Sequence, residues 1–192
     1  MYRKYLYTVI LVILTYSTCF GSSASNRKYD IYFYKWTKTY LGINYDWKRL
    51  KAQAIQESAL RPDAVSPVGA MGVMQAMPGT WKEQTAKMNI SADAFDPYWN
   101  IAVGAYYMSY LWRNWKAKRT FDDRWALCLA SYNGGLGNVL KAQKICIKLN
   151  EPGANCNSWY DIQKHAYDVN TWKCEESLTY VERIFNIYEK LK

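Results

Sequence analysis

Apolar and aromatic residues recur at helical spacing through most of this 192-residue chain, and few segments alternate with a period of two. Phe33, Trp36 and Tyr40 fall at i, i+3 and i+7, and Trp47, Leu50 and Ala54 repeat that spacing. Ile101, Ala105, Met108, Trp112 and Trp115 make a stripe on one long helix, and Val181, Ile184, Phe185, Tyr188 and Leu191 make another at the C-terminus. Short turn clusters lie between: 41–44, 66–69 and 151–155. The pattern predicts a mainly α fold, and the length suits a single core. With 50% hydrophobic and 17% aromatic residues the chain has more than enough to bury, which excludes a disordered segment as its main content. The ten Gly and five Pro are scattered and there is no internal repeat, which excludes collagen-like and solenoid architectures.

The first two dozen residues read differently. Arg3 and Lys4 precede an apolar run from Leu6 to Leu14, and Ser22-Ser23-Ala24 gives a small-x-small pattern, the layout of a secretory signal cleaved near Ala24. The run from Tyr5 to Phe20 is shorter than the roughly 20 residues of a spanning helix, which disfavours an uncleaved anchor without excluding it. Cys19 invites a lipidation reading, yet Tyr16-Ser17-Thr18 lacks the expected Leu three positions before it. The expected organisation is therefore a signal at 1–24 and one domain at 25–192.

The net charge of +9 favours an anionic partner. Loss of the signal takes away two cations and no acid, leaving +7. It also leaves Cys128, Cys146, Cys156 and Cys174, an even set in an oxidising compartment, for which three pairings are open. Cys128 stands in the apolar run 125–130 and reads equally as a small buried hydrophobe. No CxxC occurs and His165 is the only histidine, so neither a metal nor a cofactor is expected.

One carboxylate stands on the wrong face of a helix. A helix that starts near Asn44 or Asp46 has its core stripe at Trp47, Leu50 and Ala54. Glu57 lies only about 20° around that helix from Leu50. Partial desolvation there would raise its pKa, as a general acid needs. The alternative is that the helix runs out at Arg61-Pro62 and Glu57 turns to solvent on its last turn. Residues 66–80 then combine close-approach glycines with Met71, Met74, Met77 and the amide of Gln75, which suits a cleft wall against sugar. A second polar cluster, Ala130-Ser131-Tyr132-Asn133-Gly134-Gly135, ends an apolar helix with a phenol and an amide.

These blocks resemble the catalytic domain of soluble lytic transglycosylases, which shares the lysozyme fold with goose-type lysozyme. The resemblance is carried by 52–58, 66–80, 100–107, 130–135 and 176–181, in order and at compatible spacings. It implies a single lysozyme-like domain with Glu57 as the one catalytic acid/base and Ser58 as the second member of the family's Glu-Ser pair. Ser66, Gln75 and Met77 would contact the N-acetyl sugars around the scissile bond. Tyr132 and Asn133 would form the cleft floor that orients Glu57, and Glu176 would be a supporting carboxylate before the last helix. Val73 stands where the family more often has Leu, and Ser131 and Gly134 where it more often has Ala. The stretch from Cys146 to Cys174 matches no block, which leaves specificity there open.

A single carboxylate suits a reaction whose nucleophile is already on the substrate. Asp63, in the turn after Glu57, is the nearest alternative partner, and it reads as a turn residue. The C6 hydroxyl of N-acetylmuramic acid can attack its own C1, closing a 1,6-anhydro ring as the β-1,4 bond to N-acetylglucosamine breaks. The resemblance thus implies a lyase on peptidoglycan glycan strands, exported to the periplasm or beyond, acting as a monomer. Peripheral association with the membrane or an envelope complex stays open. A muramidase of the same fold that uses water is the alternative chemistry, and a non-catalytic wall-binding or assembly subunit is the alternative class. A nucleic-acid partner is not expected, since no helix carries a Lys/Arg-rich stripe.

Overall fold

A computed structural model describes residues 27–149 and 151–192. The expected signal at 1–24 lies outside the described residues. The described chain forms eight helices: α1 (Asp30–Tyr40), α2 (Trp47–Ser58), α3 (Pro78–Met88), α4 (Pro97–Asn114), α5 (Phe121–Gly134), α6 (Leu136–Leu149), α7 (Trp159–Lys164) and α8 (Cys174–Leu191). Its only β pairing, among the described residues, is two isolated antiparallel bridges in the loop between α2 and α3.

The helix starts follow their capping chemistry. Of the two expected caps of α2, Asp46 does the work, its Oδ1 accepting from the Lys48 N–H at 3.0 Å. Asp96 caps α4 in the same way with Pro97 at the first helical position, and Thr120 caps α5. The predicted stripes face one core: Phe33, Leu50, Ala54, Ile101, Ala105 and Met108 are fully buried, with Val181 and Ile184 beside them. Trp115 belongs to that core but stands just past the end of α4, where its indole N–H donates to Ser131 Oγ at 3.2 Å. Helix α5 runs through the middle, buried from Trp125 to Ser131, and packs on α4, α6, α7 and α8. Helices α2 and α8 pack closely against each other, which sets the end of α2 beside the first turns of α8.

The aromatic surplus goes largely into this packing. None of the nine Trp is strongly exposed, and Trp36, Tyr98 and Trp99 meet edge-on or tilted with centroids 5.0–6.0 Å apart. The Arg49 guanidinium lies 4.4 Å from the ring centroids of Trp125 and Tyr188 and 4.7 Å from that of Phe121, and pairs with Asp122 at 2.8 Å. Cys146 and Cys156 form a disulfide between α6 and the turn before α7, while Cys128 and Cys174 are free and buried. Of the two readings of Cys128, the small buried hydrophobe is the one the structure supports. His165 is buried at the end of α7, with its Nδ1 3.1 Å from Asp168.

Candidate active site

The face of α2 that carries Leu50, Gln53 and Ala54 into the core continues to Glu57, which is half-buried near the helix end. The helix stops at Ser58, three residues before Arg61, and the chain leaves through two successive left-handed residues, Ala59 (φ 52°) and Leu60 (φ 60°). Non-glycine residues hold that conformation only where their surroundings enforce it. Here the Ala59 N–H caps the Ile55 carbonyl and the Arg61 side chain donates from Nε to the Ser58 carbonyl at 3.2 Å. Glu57 does not turn to solvent: the Tyr180 hydroxyl on α8 donates to its Oε1 at 2.5 Å. Ser58, next in the chain, is buried and donates from Oγ to the Val73 carbonyl at 2.8 Å.

That last contact joins α2 to the loop 61–77. The loop doubles back at Met71 and Ala76, which exchange two backbone hydrogen bonds of 3.0 Å. Asn100 on α4 is its internal brace: Oδ1 accepts from the Met74 N–H at 2.7 Å, and Nδ2 donates to the carbonyls of Met71 and Ala94 at 3.0 and 2.7 Å. Gly72 sits at φ 73° so close to this amide that an added Cβ would stand 2.5 Å from Asn100 Nδ2. Ser66 Oγ accepts from the Ala70 N–H at 2.9 Å. Gln75, itself left-handed at φ 49°, donates from Nε2 to the carbonyls of Ala64 and Gly72 at 3.2 and 2.9 Å. Met77 is 43% exposed and precedes α3.

The end of α5 meets this loop from the other side. The Tyr132 hydroxyl donates to the Met74 carbonyl at 2.8 Å. Asn133 Oδ1 accepts from Ser177 Oγ at 2.6 Å, and its Nδ2 lies 3.5 Å from Glu176 Oε1. The approach of α8 depends on Gly134, because a Cβ there would stand 2.2 Å from the Trp172 indole nitrogen and 2.6 Å from Ser177 Oγ. Two of the departures from the family pattern thus have local partners: Ser131 anchors Trp115, and Gly134 admits Trp172.

Burial dominates the electrostatics. Desolvation pushes the Glu57 carboxyl from its ordinary 4.5 up to about 8, the negative charge of Glu176 adding to the rise and the Tyr180 hydrogen bond opposing it. Tyr180 is held well above the usual phenol value by burial first and by Glu57 second, and Tyr132 likewise. The carboxylate that acts on Glu57 is Glu176, an exposed residue in the first turn of α8; Asp63 is exposed in the turn beyond α2. Tyr132 and Asn133 were expected to orient Glu57. The direct hydrogen bond to its carboxyl comes from Tyr180 instead, a residue inside the 176–181 block that its spacing in the α8 stripe could have marked. Glu176 also lines a groove of about 480 Å³ with Tyr167, Trp172, Lys173 and Glu175.

One helix of the domain thus ends on a half-buried carboxyl, with a braced loop on one side and a Tyr-Asn helix end on the other. Residues 32–150 match the Transglycosylase SLT domain family, and the chain belongs to that family. It is 33% identical over 175 residues to the membrane-bound lytic murein transglycosylase F of Shewanella pealeana, covering 85% of this chain and 34% of that protein. With the same enzyme of Pasteurella multocida it shares 35% identity over 120 residues, covering 62% and 23%. The fold matches the 70 kDa soluble lytic transglycosylase of Escherichia coli with a TM-score of 0.61 and 25% identity, over 86% of this chain and 24% of that one. It also matches an inactive Glu-to-Gln mutant of the lytic transglycosylase Slt of Pseudomonas aeruginosa, with a TM-score of 0.66, 24% identity and the same coverage. The chain spans about a quarter to a third of the length of these curated relatives. Among the described residues no helix is long and apolar enough to cross a membrane.

Proposed function

We propose that this chain is a peptidoglycan lytic transglycosylase that cleaves the β-1,4 bond between N-acetylmuramic acid and N-acetylglucosamine and leaves a 1,6-anhydro end. The observation that carries the reading is Glu57 itself: one carboxyl, half-buried, held by a phenol and with a pKa near 8. At neutral pH it is mostly protonated and donates to the glycosidic oxygen. Once ionised it takes the proton of the C6 hydroxyl, which closes on C1, so one residue serves as acid and then as base. The attacking group is part of the substrate, and well-oriented intramolecular attack reaches effective concentrations of ~10⁵ M or more. No second carboxylate is required, and Glu176 serves the site by raising Glu57 and by holding the Asn133 amide.

The loop contacts refine the expected sugar contacts. Gln75 Nε2 is taken up by loop carbonyls, so its Oε1 is the group offered to an acetamido N–H. Ser66 already accepts from the Ala70 N–H, so it offers its hydroxyl proton to the sugar. Met77 supplies exposed apolar surface under the ring, and Tyr132 and Asn133 fix the walls of the cleft. Ser58 keeps the loop against Glu57. The positive charge favours a wall polymer that carries lactyl and peptide carboxylates, and the enzyme works as an exported monomer in the envelope.

The test is Glu57→Gln assayed on purified sacculi. Turnover is expected to fall by ~10²-fold or more with folding and sacculus binding intact; retention of a tenth of the activity would sink the assignment. Product masses from the wild type then decide the chemistry. Muropeptides one water lighter than hydrolysis products mean the transglycosylase, and reducing ends mean a muramidase.

A further inference from the structure

Gln53 stands four residues before Glu57 on α2, so the two side chains share a face one turn apart. The residue is fully buried, yet neither its amide nitrogen nor its amide oxygen has a hydrogen-bond partner among the described residues. An unpaired buried amide is costly, and an apolar side chain of the same shape would avoid that cost. The group on which this amide acts is the Tyr180 hydroxyl, whose pKa it lowers against the effect of burial. That hydroxyl is also buried, and its single proton is given to Glu57 Oε1. A phenol that donates once keeps an oxygen free to accept, and an amide can serve either end.

We propose that Gln53 is a positioning residue that holds Tyr180 in both states of Glu57: its Nε2 donates to the phenol while Tyr180 donates to the ionised carboxylate, and its Oε1 accepts from the phenol while protonated Glu57 donates to Tyr180. The polarity of the chain reverses with the charge of Glu57, and no proton leaves Tyr180. This rests on the reading of Glu57 as acid and then base. A residue that needs both roles gains from a partner whose hydrogen bond survives the change, and Gln is the side chain type that supplies donor and acceptor together. The other ionisable groups that face Glu57 are Glu176 from α8 and Tyr132 from α5. On α1, Asp30 is tied to Lys51, nearly two turns earlier on α2, and in the loop Arg61 is turned to the Ser58 carbonyl while Asp63 is exposed.

The bond from Tyr180 to an ionised carboxylate is charge-assisted and makes the phenol oxygen a stronger acceptor for the Gln53 amide, so Gln53 favours ionised Glu57 on balance. The experiment is a carbon NMR titration of the Glu57 carboxyl in the full chain, for wild type, Gln53→Met, Tyr180→Phe and the double variant. Gln53→Met is expected to raise the midpoint by about half a pH unit or more in the wild-type background and to leave it within about 0.2 unit in the Tyr180→Phe background. The alkaline limb of turnover on sacculi should move with it. No shift, a downward shift, or an equal shift in both backgrounds would overturn the proposal. Gln53→Leu is the second variant. Both remove a polar group from an apolar site and should melt no lower than the wild type, so collapse of both would show that the amide serves the fold and would also overturn it. If the wild type fails to cleave sacculi while the coupling is present, the enzymatic reading fails and the Gln53–Tyr180 link stands; cleavage without coupling gives the reverse.

Discussion

The hydroxyl of Ser58 donates to the carbonyl of Val73 across fifteen residues of chain, at 2.8 Å and buried. This bond makes the last turn of α2 and the loop 61–77 one unit, so the residue after the candidate acid sets the distance between the acid and the cleft wall. Ser58→Ala would leave the Val73 carbonyl buried without that donor. A loss of ~1–3 kcal/mol is expected from urea unfolding, with a larger fall in turnover on sacculi than in sacculus binding. Unchanged stability and turnover would show that the loop is held by its other contacts alone.

Gly72 tests the same loop from the α4 side. A Cβ at this left-handed position would stand 2.5 Å from Asn100 Nδ2 and 2.6 Å from the Ala94 carbonyl, both fixed by the brace. Gly72→Ala is therefore expected to cost ~3 kcal/mol or more in urea unfolding. Gly79→Ala is the comparison, since a Cβ there meets nothing within 4 Å. Equal losses for the two would contradict the brace.

The raised pKa of Glu57 has a stability consequence of definite sign. A carboxyl at about 8 in the fold and 4.5 when free favours the folded state while protonated. That contribution is fully present below pH 4.5 and is lost as pH rises to about 8. Glu57→Gln has no charge to lose, so its melting temperature relative to the wild type should climb between those values and then level off. A constant difference from pH 4 to 9 would mean that Glu57 is not desolvated.

Much of this was legible in the sequence because burial imposes a period. Phe33, Leu50 and Ile101 announced their helices, and the same arithmetic put Glu57 among apolar neighbours. Tyr180 was harder to see because a tyrosine in an apolar stripe packs by its ring and hides the use of its hydroxyl. Glu176, expected before the last helix, falls inside the first turn of α8, which starts at Cys174 without a side-chain cap to mark it. What Ser131 and Gly134 do was not legible because their partners, Trp115 and Trp172, are distant in sequence. Three cysteine pairings were open; the placement of α6 against the turn before α7 joins Cys146 to Cys156, and Cys128 and Cys174 stay free.

That pairing gives a separate prediction. The Cys146–Cys156 bridge closes a short loop between α6 and α7. Replacing both by Ser should lower stability by ~2–3 kcal/mol and leave turnover on sacculi largely unchanged, since Glu57 is held by α2 and α8. Thiol counting on unfolded, unreduced protein spanning 25–192 should find only Cys128 and Cys174. Four reactive thiols would contradict the bridge.

In the proposed reaction Glu57 directs the C6 hydroxyl of the substrate, and not water, to the anomeric carbon. Digestion of purified sacculi in heavy-oxygen water, followed by mass analysis of the released muropeptides, tests it most directly. Anhydro products with no solvent oxygen at C1 are expected, with ~10²-fold fewer or less from Glu57→Gln. Reducing ends that carry the heavy oxygen would contradict it.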